Sequence, residues 1–385
     1  MLIEASARRT MKMLNPFSFM NFHKLTNITL DDSIQVSEIP KFCFAYSRLK
    51  EITIPSSVAV ISESAFYSCT SLRKVIFSKE SNLQEIKNFA FFECKKLLSI
   101  NLPDKLEIIP KRCFALSGLK SIKLPKSTKI VDSMAFYGCS KLAKVAFNKG
   151  IKTLNEYSFA NDILLESIEL PDSLTTIKSY SFSNCCNLKE VKTTENTSLI
   201  EIFKGSFENT KIESLAVNRN AKKLFEPTCV PFLNSITFCK GKPTNFIQNQ
   251  SGLIFESIKN KPSFYTLLFA PKKLDKLQIN KNCFCFSKGL LDDMNNLEKI
   301  EVTKEVTDIC IYEFPSFNNL RSKVKEIRIN SKSSTLGENI FSYFNSLEIV
   351  EFNSKMTNLK IFKHAFLSCP NLCKVKIPCS CVSIG

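Results

Sequence analysis

The chain has no tryptophan, two histidines and nine glycines in 385 residues. Each scarcity narrows the field. Acid–base and nucleophilic catalysis draw most often on histidine. His23 and His364 stand apart, and neither belongs to a His-Glu-x-x-His pair. No Gly-x4-Gly-Lys-Ser/Thr phosphate loop occurs. With so few glycines, tight turns at positive φ are not expected to mark every structural unit. No apolar run approaches the roughly 18 residues of a membrane-spanning helix. The first nine residues, Met1 to Arg9, lack the apolar core of a signal peptide, which on its own points to the cytoplasm.

What is abundant is phenylalanine, 33 residues against 8 tyrosines. A repeat with one Phe per unit produces that bias. Ile61-Ser-Glu-Ser-Ala-Phe66-Tyr-Ser-Cys69-Thr-Ser-Leu72-Arg-Lys-Val75-Ile-Phe77 superposes on Ile86-Lys-Asn-Phe-Ala-Phe91-Phe-Glu-Cys94-Lys-Lys-Leu97-Leu-Ser-Ile100-Asn-Leu102. The same register places Phe at 19, 44, 66, 91, 114, 136, 159, 182, 207, 314, 341 and 366. An aliphatic residue stands five before each, from Leu14 and Ile39 to Leu336 and Ile361. The Leu-x-x-Ile-x-Leu half persists where Phe is lost, as in Leu274-Asp-Lys-Leu277-Gln-Ile279, and counting it gives about fifteen coils.

That half alternates, so it reads as a short strand with one buried face. Pro at 55, 103, 125, 171 and 378 ends it. The Ile-x4-Phe-x2-Cys half has spacings of 5 and 3 and reads as a turn or helical piece folded over the strand. One coil cannot bury its own apolar row, so neighbours must stack. The expected fold is an α/β repeat solenoid, a right-handed leucine-rich-repeat array with a parallel β-sheet on its concave face.

The unit resembles the BspA-like, Treponema-type class of leucine-rich repeats. Ala65-Phe66, Ala90-Phe91, Ala135-Phe136 and Ala365-Phe366, with Cys69, Cys94, Cys139 and Cys369, carry the likeness. The resemblance covers about Leu14 to Ile384. It implies surface antigens and adhesins of oral bacteria and parasitic protists, hence a cell-surface or secreted location. The chain departs from that picture in its missing leader and anchor.

Domain organisation follows the rhythm: leucine-rich repeats over 14–238, an interrupting insert over 239–273, and repeats again over 274–385, ending mid-repeat. In the insert, apolar runs at Phe246–Phe255 and Leu267–Phe269 flank a polar stretch from Glu256 to Tyr265. This reads as a β-hairpin, or as a decayed repeat that loops out. The stretch from Cys283 to Met294 is also irregular.

Sixteen cysteines in a short secreted chain would signal a disulfide framework. Here Cys69, Cys94, Cys139, Cys185 and Cys369 sit three after Phe, while Cys43, Cys113 and Cys283 sit one before. A position fixed relative to a core Phe implies a small buried packing role and free thiols. Cys283-x-Cys285 and Cys379-x-Cys381 are too close for the usual zinc pairs. No metal and no cofactor are expected.

The formal charge is +17. The expected inner face carries nine basic and six acidic residues, a net +3. It includes Lys74, Lys123, Lys144, Glu169, Glu190 and Lys192. Further on it includes Lys276, Lys299, Glu301, Glu326, Arg328, Glu351, Lys374 and Lys376, and these fourteen charged residues form the candidate partner-binding face. Serines along the middle coils leave room for a partner. That face has neither an unbroken basic stripe nor interleaved aromatics, so nucleic acid is not the expected partner. The expectation is a non-enzymatic binding protein whose partner is another protein, or a host matrix component or glycan. An intracellular scaffold built from the same repeats is the alternative.

Overall fold

The computed structural model describes residues 3–6, 12–30, 32–224, 230, 232–239, 241–258, 261–286, 294–311 and 323–385. The expected repeat Phe314 lies outside them. Two compact units divide the chain, residues 1–225 and 226–385.

In the first unit, Leu-x-x-Ile-x-Leu segments form a row of short strands, among them Glu51–Ile54, Lys74–Phe77, Ser121–Lys123, Lys144–Ala146, Ser167–Glu169 and Glu190–Lys192. Paired neighbours run parallel and in register: Ile52 faces Val75, Ile122 faces Val145, and Ile168 faces Val191. Alternation puts Ile52 and Ile54 in the core and leaves Glu51 exposed. Across both units fourteen such strands occur among the described residues, eight from Leu25–Thr29 to Ser214–Asn218 and six from Ser235–Cys239 to Lys374–Lys376. The fifteenth coil, Leu97 to Leu102, keeps its buried Leu97 and Ile100 but has no regular strand.

The other half of each coil corrects the helical expectation, because no helix occurs among the described residues. The aliphatic residue five before Phe instead ends a second parallel strand. Glu38–Ile39, Val60–Ile61 and Glu85–Ile86 form one short sheet, and Ile108–Ile109 through Glu201–Ile202 form another of five strands. Around the Phe the backbone amides divide between two tasks. Phe42, Phe44 and Tyr46 donate N–H to Glu63, Ala65 and Tyr67 of the next coil, while Cys43, Ala45 and Ser47 donate three residues back. An α-helix would need all of them internally.

The same turns overturn the glycine argument. The residues two before and two after the core Phe are left-handed, as at Phe42 and Tyr46 (φ 54 and 59) or Ser64 and Ser68 (φ 57 and 52). Among the described residues twenty non-glycine residues adopt this conformation, and glycine takes the position only at Gly138 and Gly205. Each costs roughly 1–3 kcal/mol in isolation. The cross-coil hydrogen bonds hold the chain there.

Inside these turns the rings of Phe19, Phe44, Phe66, Phe91, Phe114, Phe136, Phe159, Phe182 and Phe207 form one unbroken stack. Centroids are 5.0 to 5.5 Å apart and planes are within 3 to 11° of parallel. All but the terminal Phe19 are fully buried. Beside this stack runs a column of thiols. Cys69, Cys94, Cys139 and Cys185 each donate S–H to the carbonyl of the preceding coil's Phe, at 2.9, 3.3, 3.0 and 3.1 Å. Cys43, Cys69, Cys94, Cys113, Cys139 and Cys185 are buried free thiols. Burial pushes Cys43 and Cys69 up to about 12 and raises Cys94, Cys113, Cys139 and Cys185 well above the usual thiol range, so these thiols stay protonated.

The second unit repeats the scheme with longer strands. Lys276–Ile279, Lys299–Val302, Glu326–Ile329, Ile349–Phe352 and Lys374–Lys376 form a five-stranded parallel sheet. Asp308–Ile311, Ser333–Leu336, Asn358–Ile361 and Cys381–Ile384 form the second row. Phe341 is buried, and it stacks on Phe366 at 5.7 Å. Ahead of these rows lie the antiparallel strands Phe246–Gln248, Ile254–Ile258 and Lys261–Phe269. The antiparallel pairing of the expected hairpin runs into the polar stretch, where Glu256 pairs with Thr266. Gly252, at φ +79, precedes the middle strand, and a Cβ there would lie 3.2 Å from Pro271, which follows the last. Cys283–Phe286, in the stretch expected to be irregular, pairs parallel with Lys261–Phe269.

Candidate functional site

The strand row presents one face to solvent in each unit, and the candidate residues fall on those two faces. In the first unit Lys74, Lys123, Lys144, Glu169, Glu190 and Lys192 are all exposed on successive strands. Among the fourteen candidates, the one ion pair within this group is Lys192 with Glu190 at 3.4 Å. Lys74, Lys123 and Lys144 have no carboxylate partner among the described residues. Between the charges stand Ser121, Ala146 and Ser167, whose short side chains leave a shallow hollow of about 460 Å³. Lys123, Lys144, Glu169 and Lys192 rim it. Three ammonium groups and one carboxylate are thus brought over one apolar floor, Ile122, Val145 and Ile168.

The second unit places its eight candidates on two lines of cross-strand neighbours. One line is Lys276, Lys299, Glu326, Ile349 and Lys374; the other is Gln278, Glu301, Arg328, Glu351 and Lys376. Here the charges satisfy one another. Lys299 meets Glu326 at 2.7 Å, Arg328 meets Glu351 at 3.3 Å, and Lys374 and Lys376 both reach Glu351 at 3.1 Å. Lys276 pairs with Glu301, and Arg328 with Glu326. Glu301 also accepts from Gln278 at 3.0 Å. The Lys276 hydrogen bond holds the Glu301 carboxyl below its ordinary range, and those of Lys376 and Lys374 do the same for Glu351.

His23 and His364 are exposed, far apart in sequence, and His364 fills one of the left-handed turn positions. Among the described residues no cluster of His, Cys, Asp or Glu could hold a metal ion. No helix there is long and apolar enough to cross a membrane.

One buried group escaped the sequence reading. Asp162 occupies the position of the cysteine column, three after Phe159, between Cys139 and Cys185. It is fully buried. Its Oδ1 accepts the Cys139 N–H at 2.8 Å, and its Oδ2 has no hydrogen-bond partner among the described residues. Burial pushes its carboxyl well above the usual range. The available signal was the register itself, which puts Asp162 where the coils from Ser47 to Thr210 otherwise carry Cys, Ser or Thr.

Stacked Phe turns, a parallel strand row and an open polar face together define a leucine-rich-repeat solenoid. The family model for the BspA type leucine rich repeat region matches residues 2–120, 107–229 and 262–385. The chain belongs to that family. Among solved structures it is similar to a leucine-rich repeat protein from Bacteroides ovatus, with 22% identity, 91% of this chain and 78% of that one covered, and a TM-score of 0.59. It is also similar to the pneumococcal vaccine antigen PcpA, at 18% identity, 87% and 78% coverage and a TM-score of 0.50. At these identities the likeness concerns the fold. No match was found among curated proteins.

Proposed function

We propose that this protein is a non-enzymatic binding module that holds another macromolecule on the exposed face of its strand row, in the manner of a surface antigen or adhesin. The observation that carries this reading is the first unit's face. Its small side chains, rimmed by Lys123 and Lys144 with no carboxylate partner among the described residues, leave hydrogen-bonding and charged groups open to a ligand. A face already satisfied internally offers less, and the second unit's face is of that kind. The fold it shares with the PcpA antigen supports the surface reading. The candidate residues Lys123, Lys144, Glu169 and Lys192 are the contacts expected to matter most.

The test is a panel of purified extracellular-matrix proteins and glycans immobilised against the folded chain. Ala146→Arg with Ser167→Arg fills the hollow without touching the core. Binding to one panel member that falls at least tenfold in this double variant supports the reading. Binding that the double variant leaves unchanged removes the face from the account.

Free buried thiols favour a second reading, an intracellular interaction scaffold, because thiols persist in reducing compartments. Surface labelling of intact cells separates the two, since a wholly internal pool would remove the antigen reading.

A further inference from the structure

The cations of the first unit are not confined to the strand face. Two more positions recur at the rim where the Phe turn meets the strand, immediately before and after the repeat Leu. From the second coil to the sixth these positions hold Arg48, Lys96 and Lys141 before, and Lys50, Arg73 and Lys120 after. All six are exposed. No acidic residue stands at either position between Arg48 and Ala143. None of the six forms an ion pair among the described residues.

The backbone stacks these residues directly. Arg73 donates N–H to Lys50 O at 2.7 Å, Lys120 to Leu98 O at 2.9 Å, and Ala143 to Lys120 O at 2.9 Å. Side chains of successive coils therefore stand roughly 4.8 Å apart along the rim, and five coils span about 19 Å. The pattern then stops: Glu166 takes the position after Leu165 and pairs with Lys189 at 3.5 Å. Beside its second strand row acids and lysines are paired instead, Glu63 with Lys41 and Glu107 with Lys129, both at 3.0 Å. The six rim cations thus differ from those lysines in having no ion-pair partner among the described residues.

We infer that this rim binds a sulfated polysaccharide chain lying along the coils. The proposal rests on the binding role given above and names a partner class for the same unit. A row of cations repeating every coil matches a linear polymer that carries an anion on most sugars. The neighbours in the rows are hydroxyl-bearing, Thr70, Ser71, Ser99 and Ser140 among them, which suit the sugar hydroxyls between the anions. The rim positions carry no aromatic ring on which a base could stack, so single-stranded RNA would gain charge contacts alone.

The test uses heparin as the probe and the full chain, by titration calorimetry over a salt series. The variant Lys50→Glu, Arg73→Glu, Lys120→Glu is compared with Lys149→Glu, Lys152→Glu, Lys204→Glu, which changes the net charge equally on other turns. Circular dichroism confirms that both fold, and the neutral set Lys50→Gln, Arg73→Gln, Lys120→Gln replaces the first if it does not. The expected result is salt-sensitive heparin binding that weakens at least tenfold in the rim variant and under threefold in the control. Equal loss in both variants would show attraction to net charge only and overturn the proposal. So would absence of binding, equal binding of desulfated heparin, or RNA of equal charge binding as tightly. The Ala146 and Ser167 variant, tested on protein ligands, reports separately on the strand face, so either idea can fail alone.

Discussion

In the first unit the exposed strand positions carry Ser121, Ala146 and Ser167 beside lysines without carboxylate partners, whereas in the second every lysine from Lys276 to Lys376 on that row meets Glu301, Glu326 or Glu351. The cores differ as well. Nine rings stack without a gap in the first unit, while among the described residues of the second Phe341 stacks on Phe366 and Phe238 on Phe246. The contrast separates two ways of using one repeat. Where coils are held by a continuous ring stack, the face is free of structural duty and can be left unsatisfied for a ligand. In the second unit the face charges bind strand to strand instead.

The largest effect expected from this contrast is at the ring stack. Phe136→Ala deletes a ring stacked at 5.5 and 5.0 Å on both sides. It should cost roughly 3–5 kcal/mol, the usual loss for an aromatic cavity in a packed core. Phe366→Ala, in the terminal coil and only partly buried, should cost well under half of that. Thermal melts followed by circular dichroism, with hydrogen exchange to localise the loss, measure both. Equal costs at the two sites would break the claim that the first unit depends on its stack.

Next comes Asp162. The folded carboxyl is held protonated by burial, while the unfolded chain ionises at its ordinary value of 3.8. A raised folded pKa in an acid means that its contribution to stability falls as pH rises above that ordinary value. Asp162→Ser places there the residue that coils Ser47 and Ser117 already use beside Cys69 and Cys139. The Cys139 N–H keeps its second acceptor, Phe136 O at 3.2 Å. The variant should be about 1–3 kcal/mol more stable at neutral pH, the scale of relieving an unsatisfied buried polar group. The gain should shrink as pH falls toward 4. A gain of the same size at both pH values would remove ionisation from the explanation.

Much of this architecture was legible in the primary structure, and the exceptions have physical causes. The Phe register, the strand alternation of Leu, Ile and Leu, and the family followed from spacing, because a stacked coil must repeat whatever it buries. The second strand row was not legible. It is often only two residues long, Val60–Ile61 or Thr153–Leu154, too short for alternation to show. The left-handed turns were hidden because Tyr, Phe, Ser and Asn hold them where glycine would have announced them. The candidate face was readable by strand parity, but parity says nothing of pairing. Whether Lys123 stands free and Lys299 is spoken for depends on what the adjacent coil presents. Parity also passed over the rim, since Lys50 and Arg73 sit just outside the alternating segment.

The smallest effects test the pairing side of the comparison. Glu301→Gln removes the carboxylate that receives Lys276 and the Gln278 amide, on a side chain 18% exposed. Its lowered pKa means that its stabilisation is present above the ordinary carboxylate value of 4.5 and is lost as pH falls through the folded value. Solvent screening at this partly covered site limits the cost to about 0.5–1 kcal/mol. The first unit's counterpart is Glu190→Gln, whose partner Lys192 and own side chain are 59% and 56% exposed. That substitution should change stability by no more than a few tenths of a kcal/mol at any salt. Denaturant melts at low and high salt decide the matter. A salt-sensitive loss at Glu301 and none at Glu190 keeps structural charge pairing in the second unit. Equal losses would mean that both faces hold their strands together, and the first would then have less freedom to serve a ligand.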